Sequence, residues 1–200
     1  MGTVAIVDYG VGNLKSVANA LSYLGCSSCI TADPAELERA DAIILPGVGA
    51  FPDAADRLRS GGLDQHVLAQ GQKKPVLGIC LGMQLLLEQG REVRPCPGLG
   101  VIRGTVDRIP TQSKLPHIGW NSLRFFHHSP LFRGLDEGVY FVHSFSAQDT
   151  DPAQVIAVTD YGPAVTAAVS SGNFYGTQFH PEKSGEVGLI ILRNFAGLNC

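Results

Sequence analysis

The sequence predicts an α/β fold, a three-layer sandwich built on a mixed, mostly parallel sheet, and three observations carry the prediction. The first half alternates short β-branched runs with helical periodicity, which requires parallel strands covered by helices on both faces. The second half holds several strand-like runs with few helical patterns between them, so antiparallel additions to the same sheet are expected. The chain of 200 residues is 44% apolar and 16% charged, against about 25% charged in an average globular protein. That composition supports a real core and leaves part of the surface short of charge, as a face covered by a partner would be. No repeat, low-complexity stretch or linker divides residues 1–200, so a single domain is expected.

The elements follow in order. Thr3 to Val7 is a β-branched run closed by the turn signal Asp8-Tyr9-Gly10. Asn13 is the expected N-cap of a helix in which Leu14, Val17, Ala18, Leu21 and Leu24 recur on one face, and Gly25 stops it. Asp33-Pro34-Ala35-Glu36 has the form of a helix start, with Pro at the first helical position and Glu able to reach back. Ala42 to Leu45 and Val76 to Ile79 read as buried strands, each followed by a glycine-containing turn and a helix. Strand-like runs then appear at Val101-Ile102, Ser122 to Phe126, Val139 to Phe145, Val155 to Val158, Ala164 to Val169 and Phe174 to Phe179, and a helix from Gly185 to Leu198 closes the chain. Ligands of such sheets bind at the carboxyl ends of the parallel strands.

Composition excludes several classes. A net charge of −3 with 15 Lys+Arg gives no basic stripe for nucleic acid. The longest apolar run, Pro75 to Leu87, is too short for a bilayer and contains two glycines. The first ten residues lack a basic region and carry Asp8, so no secretory signal is expected. Cys26, Cys29, Cys80, Cys96 and Cys200 are odd in number and scattered, which fits free thiols and a cytoplasmic location.

Three segments carry chemistry. Gly78-Ile79-Cys80-Leu81-Gly82 follows a strand and opens a helix. So tight a reversal strains the middle residue and excludes Cβ atoms on either side, as in nucleophile elbows. A helix start beneath the sulfur favours the thiolate. Taken alone, Cys80 is equally a buried structural cysteine. His180-Pro181-Glu182 lets a carboxylate two residues away meet the imidazole, since i and i+2 of an extended segment project alike. By itself such a pair is more often a strand-end histidine beside a solvated glutamate. Joined to an elbow cysteine, the three supply nucleophile, base and orienting acid for acyl transfer. Pro46-Gly47-Val48-Gly49 can bring backbone N–H groups to a ligand, though alone it is a plain turn.

Together, Gly78 to Gln84, the upstream Pro46-Gly47-Val48-Gly49 and the His180-Pro181-Glu182 segment resemble the class I (triad) glutamine amidotransferases, a flavodoxin-like family, over nearly the whole chain. The resemblance implies Cys80 as nucleophile, His180 as general base and acid, and Glu182 as the acid orienting it. It implies an oxyanion hole from Leu81 with Val48 and Gly49, and glutamine held by Gly49, Gln84, Ser144 and Phe145. Asp8 to Asn13, Pro116 to Asn121, Tyr140 to Ser144 and His180 to Ser184 narrow the resemblance to one branch, the glutaminase subunits of imidazole glycerol phosphate synthase. Ile118 and Phe145 depart slightly from that branch, where Met and Tyr are usual. The branch implies a (β/α)8-barrel cyclase as heterodimeric partner receiving ammonia, no cofactor, and an interface near Asn13, Trp120, Tyr140 and Lys183. A loop at Gly47 to Gly49 that turns one N–H in or out would put glutamine turnover under the partner's control.

Competing readings are a glutaminase serving anthranilate or pyridoxal phosphate synthesis, a dead scaffold of the same fold, and an esterase that would need a serine elbow. Cys26-Ser27-Ser28-Cys29 lacks the second ligand pair of a zinc site. Gly10 to Asn13 lacks the third glycine of a dinucleotide loop, Lys15 standing there. His66, His127 and His128 are expected to be solvated.

Overall fold

The computed structural model describes residues 2–135 and 138–198. In chain order the elements are β1 (Val4–Val7), α1 (Leu14–Tyr23), β2 (Ser28–Thr31), α2 (Pro34–Arg39), β3 (Ala42–Gly47), α3 (Phe51–Ser60), α4 (Leu63–Gly71), β4 (Val76–Cys80), α5 (Leu81–Leu85), β5 (Leu87–Gly90), β6 (Cys96–Pro97) and β7 (Ile102–Arg108). They continue with β8 (His117–Asn121), β9 (Arg124–Phe125), β10 (Val139–His143), β11 (Phe145–Gln148), β12 (Val155–Asp160), β13 (Ala164–Ser171), β14 (Phe174–Thr177) and α6 (Gly185–Ala196).

An eight-stranded sheet in the order β2-β1-β3-β4-β14-β13-β12-β9 forms the middle layer. The pairs from β2 to β14 are parallel and those from β14 to β9 antiparallel. Alternate residues of a strand face opposite ways, and the core divides accordingly. Ala5, Val7, Ile43 and Leu45 pack toward Leu37, Leu58 and Val67 of α2, α3 and α4. Val4, Ile6, Ala42 and Ile44 pack toward Val17, Leu21, Ile191 and Phe195 of α1 and α6. This is the expected mixed, mostly parallel three-layer sandwich.

Several local expectations are corrected. Asn13 precedes α1 but its side chain makes no capping bond. Asp33 caps α2 through the Ala35 N–H, while its own N–H is taken by the Thr31 hydroxyl, the position a reaching Glu36 would fill. The helix after Cys80 is only five residues long and gives way at once to β5, so it brings less dipole to the sulfur than a full helix would. The run Val139 to Phe145 is two strands in different sheets. It breaks at Ser144, whose carbonyl accepts from the Ile109 N–H. The strand expected at Ser122 to Phe126 is reduced to Arg124–Phe125, and His117–Asn121 pairs with β10 as a two-stranded ribbon. A small sheet β11-β7-β5-β6 completes the wall beside the carboxyl end of β4. Cys200 lies outside the described residues.

Candidate active site

Strand β4 ends on Cys80, which has φ 54° and ψ −108°. For a residue with a side chain this is left-handed, strained backbone. The two flanking glycines are required by space. A Cβ at Gly78 would meet the Gly82 carbonyl carbon at 2.6 Å, and one at Gly82 would overlap the Leu45 carbonyl oxygen. Gly47, paired with Cys80 across the β3–β4 ladder, is equally tight, a Cβ there meeting the Tyr9 hydroxyl at 2.7 Å. That hydroxyl donates to the Pro46 carbonyl at 2.6 Å and holds the loop after β3. Burial, with the nearby Cys80, keeps the Tyr9 phenol protonated.

His180 lies one residue beyond Phe179 at the end of the β14 segment and is fixed from the ribbon side. Its N–H donates to the Tyr140 carbonyl at 3.0 Å, and the Ser184 hydroxyl, which accepts from the Tyr140 N–H, donates to the His180 carbonyl. Its Nδ1 donates to Glu182 Oε1 at 2.8 Å, and both side chains are 2% exposed. With Nδ1 so used, Nε2 faces inward without a hydrogen-bond partner of good geometry. Burial alone would lower the imidazole's pKa, but the Cys80 sulfur and the Glu182 carboxylate outweigh it and raise it to about 9.

A cavity of about 380 Å³ opens over these groups, lined by Val48, Gly49, Cys80, Leu81, Gln84, Ser144, Phe145, His180 and Lys183. All nine stand in the sequence-derived sets. Glu182 sits behind the imidazole. Gln84 Nε2 donates to the Phe145 carbonyl at 3.1 Å and to Gln178 Oε1 at 3.0 Å.

Four lining residues were missed from the sequence: Glu92, Pro116, Val142 and His143. Glu92 caps α3, accepting from the Phe51 N–H at 2.6 Å. Nothing in the sequence near Glu92 marks it. His143 donates from Nδ1 to the Phe145 carbonyl at 2.8 Å and meets His117 Nδ1 through Nε2 at 3.2 Å. Burial pushes its pKa down to about 4, the Phe145 carbonyl opposing only in part. It stands inside the Tyr140 to Ser144 motif, where strand alternation with Phe141 was the available signal.

Trp120 and Tyr140 are opposite each other in the β8–β10 ladder, their rings edge to face at 6.1 Å. Trp120 is 61% exposed, and Ile118 beside it 58%. Lys183 and Asn13 are also exposed. His66, His127 and His128 are exposed as expected; His127 Nε2 also donates to the Pro152 carbonyl at 3.1 Å, and with His128 it lines a separate aromatic cleft.

Residues 5–197 match the model of the family described as glutamine amidotransferase class-I. The chain is 48% identical to imidazole glycerol phosphate synthase subunit HisH of Bacillus cereus, covering 98% of this chain and 94% of the relative. It is 46% identical to the protein of the same name from Bacillus thuringiensis over the same shares. Among solved structures it is similar to PurLQS from Thermotoga maritima, with a TM-score of 0.77, 21% identity and 98% of each chain covered. It is also similar to a solved glutamine amidotransferase, with a TM-score of 0.75, 21% identity, and 98% and 99% covered. At those identities the two structures speak to the fold alone.

Proposed function

The chain belongs to the class I glutamine amidotransferases, and from that premise we infer how its cavity works. Its function is glutamine hydrolysis as the glutaminase subunit of an imidazole glycerol phosphate synthase. One observation carries the reading of the residues: the strained Cys80 and His180, whose imidazole is bonded to Glu182 behind it, line a single cavity.

Cys80, as thiolate, attacks the side-chain carboxamide carbon of glutamine, and the oxyanion that forms is held by backbone N–H groups of Leu81 and the Val48-Gly49 loop. His180, carried as imidazolium by Glu182, gives its proton to the departing nitrogen, so ammonia leaves and a γ-glutamyl thioester remains. The neutral imidazole then takes a proton from water as its oxygen attacks the thioester carbon. The C–S bond breaks, glutamate leaves, and thiolate and imidazolium are restored. Gln84, Gly49, Ser144 and Phe145 hold the substrate. Glu92, the one carboxylate among the cavity's lining residues, suits the substrate's α-ammonium.

A synthase subunit implies a cyclase partner. In this reading the partner is a (β/α)8 barrel that docks as a heterodimer on the exposed Trp120–Ile118 face with Tyr140, Lys183 and Asn13, and it receives ammonia without release to solvent. The exposure of Trp120 and Ile118 side by side on that face supports this. The test supplies the complex with glutamine carrying heavy nitrogen in its side-chain amide, in the presence of excess unlabelled ammonia. Label in the imidazole product is expected. Product made only from bulk ammonia would overturn the partnership.

A further inference from the structure

Resting on the glutaminase reading, we infer that Gln178 is a catalytic residue: its side-chain amide donates to the Cys80 sulfur and favours the thiolate while locking the substrate-side Gln84 in place. Gln178 is fully buried and belongs to none of the site residues named from the sequence. Its Nε2 lies 3.7 Å from Cys80 Sγ with donor geometry, an ordinary length for a hydrogen bond to sulfur.

The direction of that bond is forced by its neighbours. A backbone carbonyl only accepts, so the Gln84 atom 3.1 Å from the Phe145 carbonyl is the amide nitrogen. The same nitrogen lies 3.0 Å from a side-chain atom of Gln178, which must therefore be the carbonyl oxygen. The remaining terminal atom of Gln178 is then NH2, and it is the one facing sulfur. The other side of the Phe145 carbonyl is held by His143 Nδ1 at 2.8 Å, which makes His143 Nε2 an acceptor for the Nδ1–H of His117. His117 is itself sandwiched between the Phe141 and Tyr161 rings, at 4.8 and 3.9 Å between centroids. Every bond in this chain has one allowed polarity, so Gln178 cannot turn its oxygen to the sulfur without breaking the Gln84 bond.

An N–H aimed at sulfur stabilises the anion more than the thiol. The titratable groups around that sulfur are His180 and Tyr9, with Glu182 behind the imidazole and Glu92, His143 and Lys183 on the lining of the same cavity. Of these, the His180 imidazolium and the Lys183 ammonium favour the thiolate. Gln178 is a second, uncharged donor whose contribution does not change with pH.

The experiment follows Cys80 alkylation by iodoacetamide across pH, read on its own peptide by mass spectrometry in the full chain, alongside kcat and KM for glutamine in the complex. Gln178→Met should raise the alkylation midpoint by about one pH unit and lower kcat/KM on the order of tenfold. Gln178→Glu keeps an acceptor for Gln84 but puts a carboxylate beside the sulfur, and should raise the midpoint further. In the wild-type chain the Gln178 side-chain amide resonances should shift with Cys80 ionisation and stop doing so in Cys80→Ala, a measurement that needs no Gln178 variant. Unmoved midpoints with a raised KM alone would reduce Gln178 to a prop for Gln84 and overturn the inference. A wild-type complex that releases no glutamate from glutamine would instead overturn the glutaminase reading itself.

Discussion

The two walls of the cavity each carry a buried histidine, and their surroundings drive them in opposite directions. On the wall built from β4 and the segment after β14, His180 meets Glu182 and is held as imidazolium to about pH 9. On the ribbon wall, His143 meets only a backbone carbonyl and another imidazole, and stays neutral down to about pH 4. Both are buried, so desolvation disfavours the charged form of each. The Cys80 sulfur and the Glu182 carboxylate at His180 decide between them. Burial beside an anionic partner makes a proton donor. Burial without one makes a fixed hydrogen-bonding strut, which here holds the Phe145 carbonyl against the substrate space.

The largest break in this comparison comes from the catalytic wall. Cys80→Ala should abolish glutamine hydrolysis by about 10⁴-fold or more while partner binding persists, checked by glutamate release and titration calorimetry. Next is Glu182→Gln, which keeps the shape and removes the charge. Loss of about 10³-fold in kcat is expected, with the alkaline limb of the pH profile moved to lower pH because His180 loses its anion. In the wild type, the charged His180 adds to folded stability fully below its unfolded value near pH 6.5. That contribution is lost as pH rises through about 9.

The ribbon wall should respond in stability at the acid end. His143 takes a proton near pH 6.5 when unfolded but only near 4 when folded. The unfolded state therefore binds the extra proton, and stability falls as pH drops through that window, by on the order of 3 kcal/mol. Urea unfolding at pH 7 and pH 4.5 should show a smaller acid loss in His143→Gln than in the wild type. An equal loss would mean His143 is not the neutral strut described. The smallest effect is expected at the mouth: Lys183→Ala should weaken partner binding or its stimulation of turnover by about fivefold, read by titration calorimetry and glutamate release in the complex.

The same contrast explains what the sequence made legible. The elbow is local. Two glycines around a cysteine after a β-branched strand state their own geometry, and the clashes at Gly78 and Gly82 give the reason. His180 and Glu182 are two residues apart and needed only extended backbone to meet. Parallel strands such as Ala42 to Leu45 announced themselves by being apolar on both faces, though the strand itself runs on through Pro46 to Gly47. The ribbon wall is not local. His117 and His143 are 26 residues apart, and nothing in either segment says that one imidazole will accept from the other. Glu92 reaches the cavity only because it caps a helix 41 residues earlier. The short strands β5, β6, β8 and β9 are held by pairing with distant partners, and two to five residues carry too little periodicity to reveal them. The break at Ser144 was hidden for the same reason, since Val139 to Phe145 is uniformly strand-like and its two parts differ only in their distant partners, β8 for one and β7 for the other.

The most direct test is glutamate release by the chain alone, with a (β/α)8 cyclase, and with that cyclase plus its ribulosyl nucleotide substrate, run beside Cys80→Ala. Strong release in the full mixture, absent in the variant, is the predicted result. Release that persists in Cys80→Ala, or none in the wild type under any of the three conditions, would contradict the account.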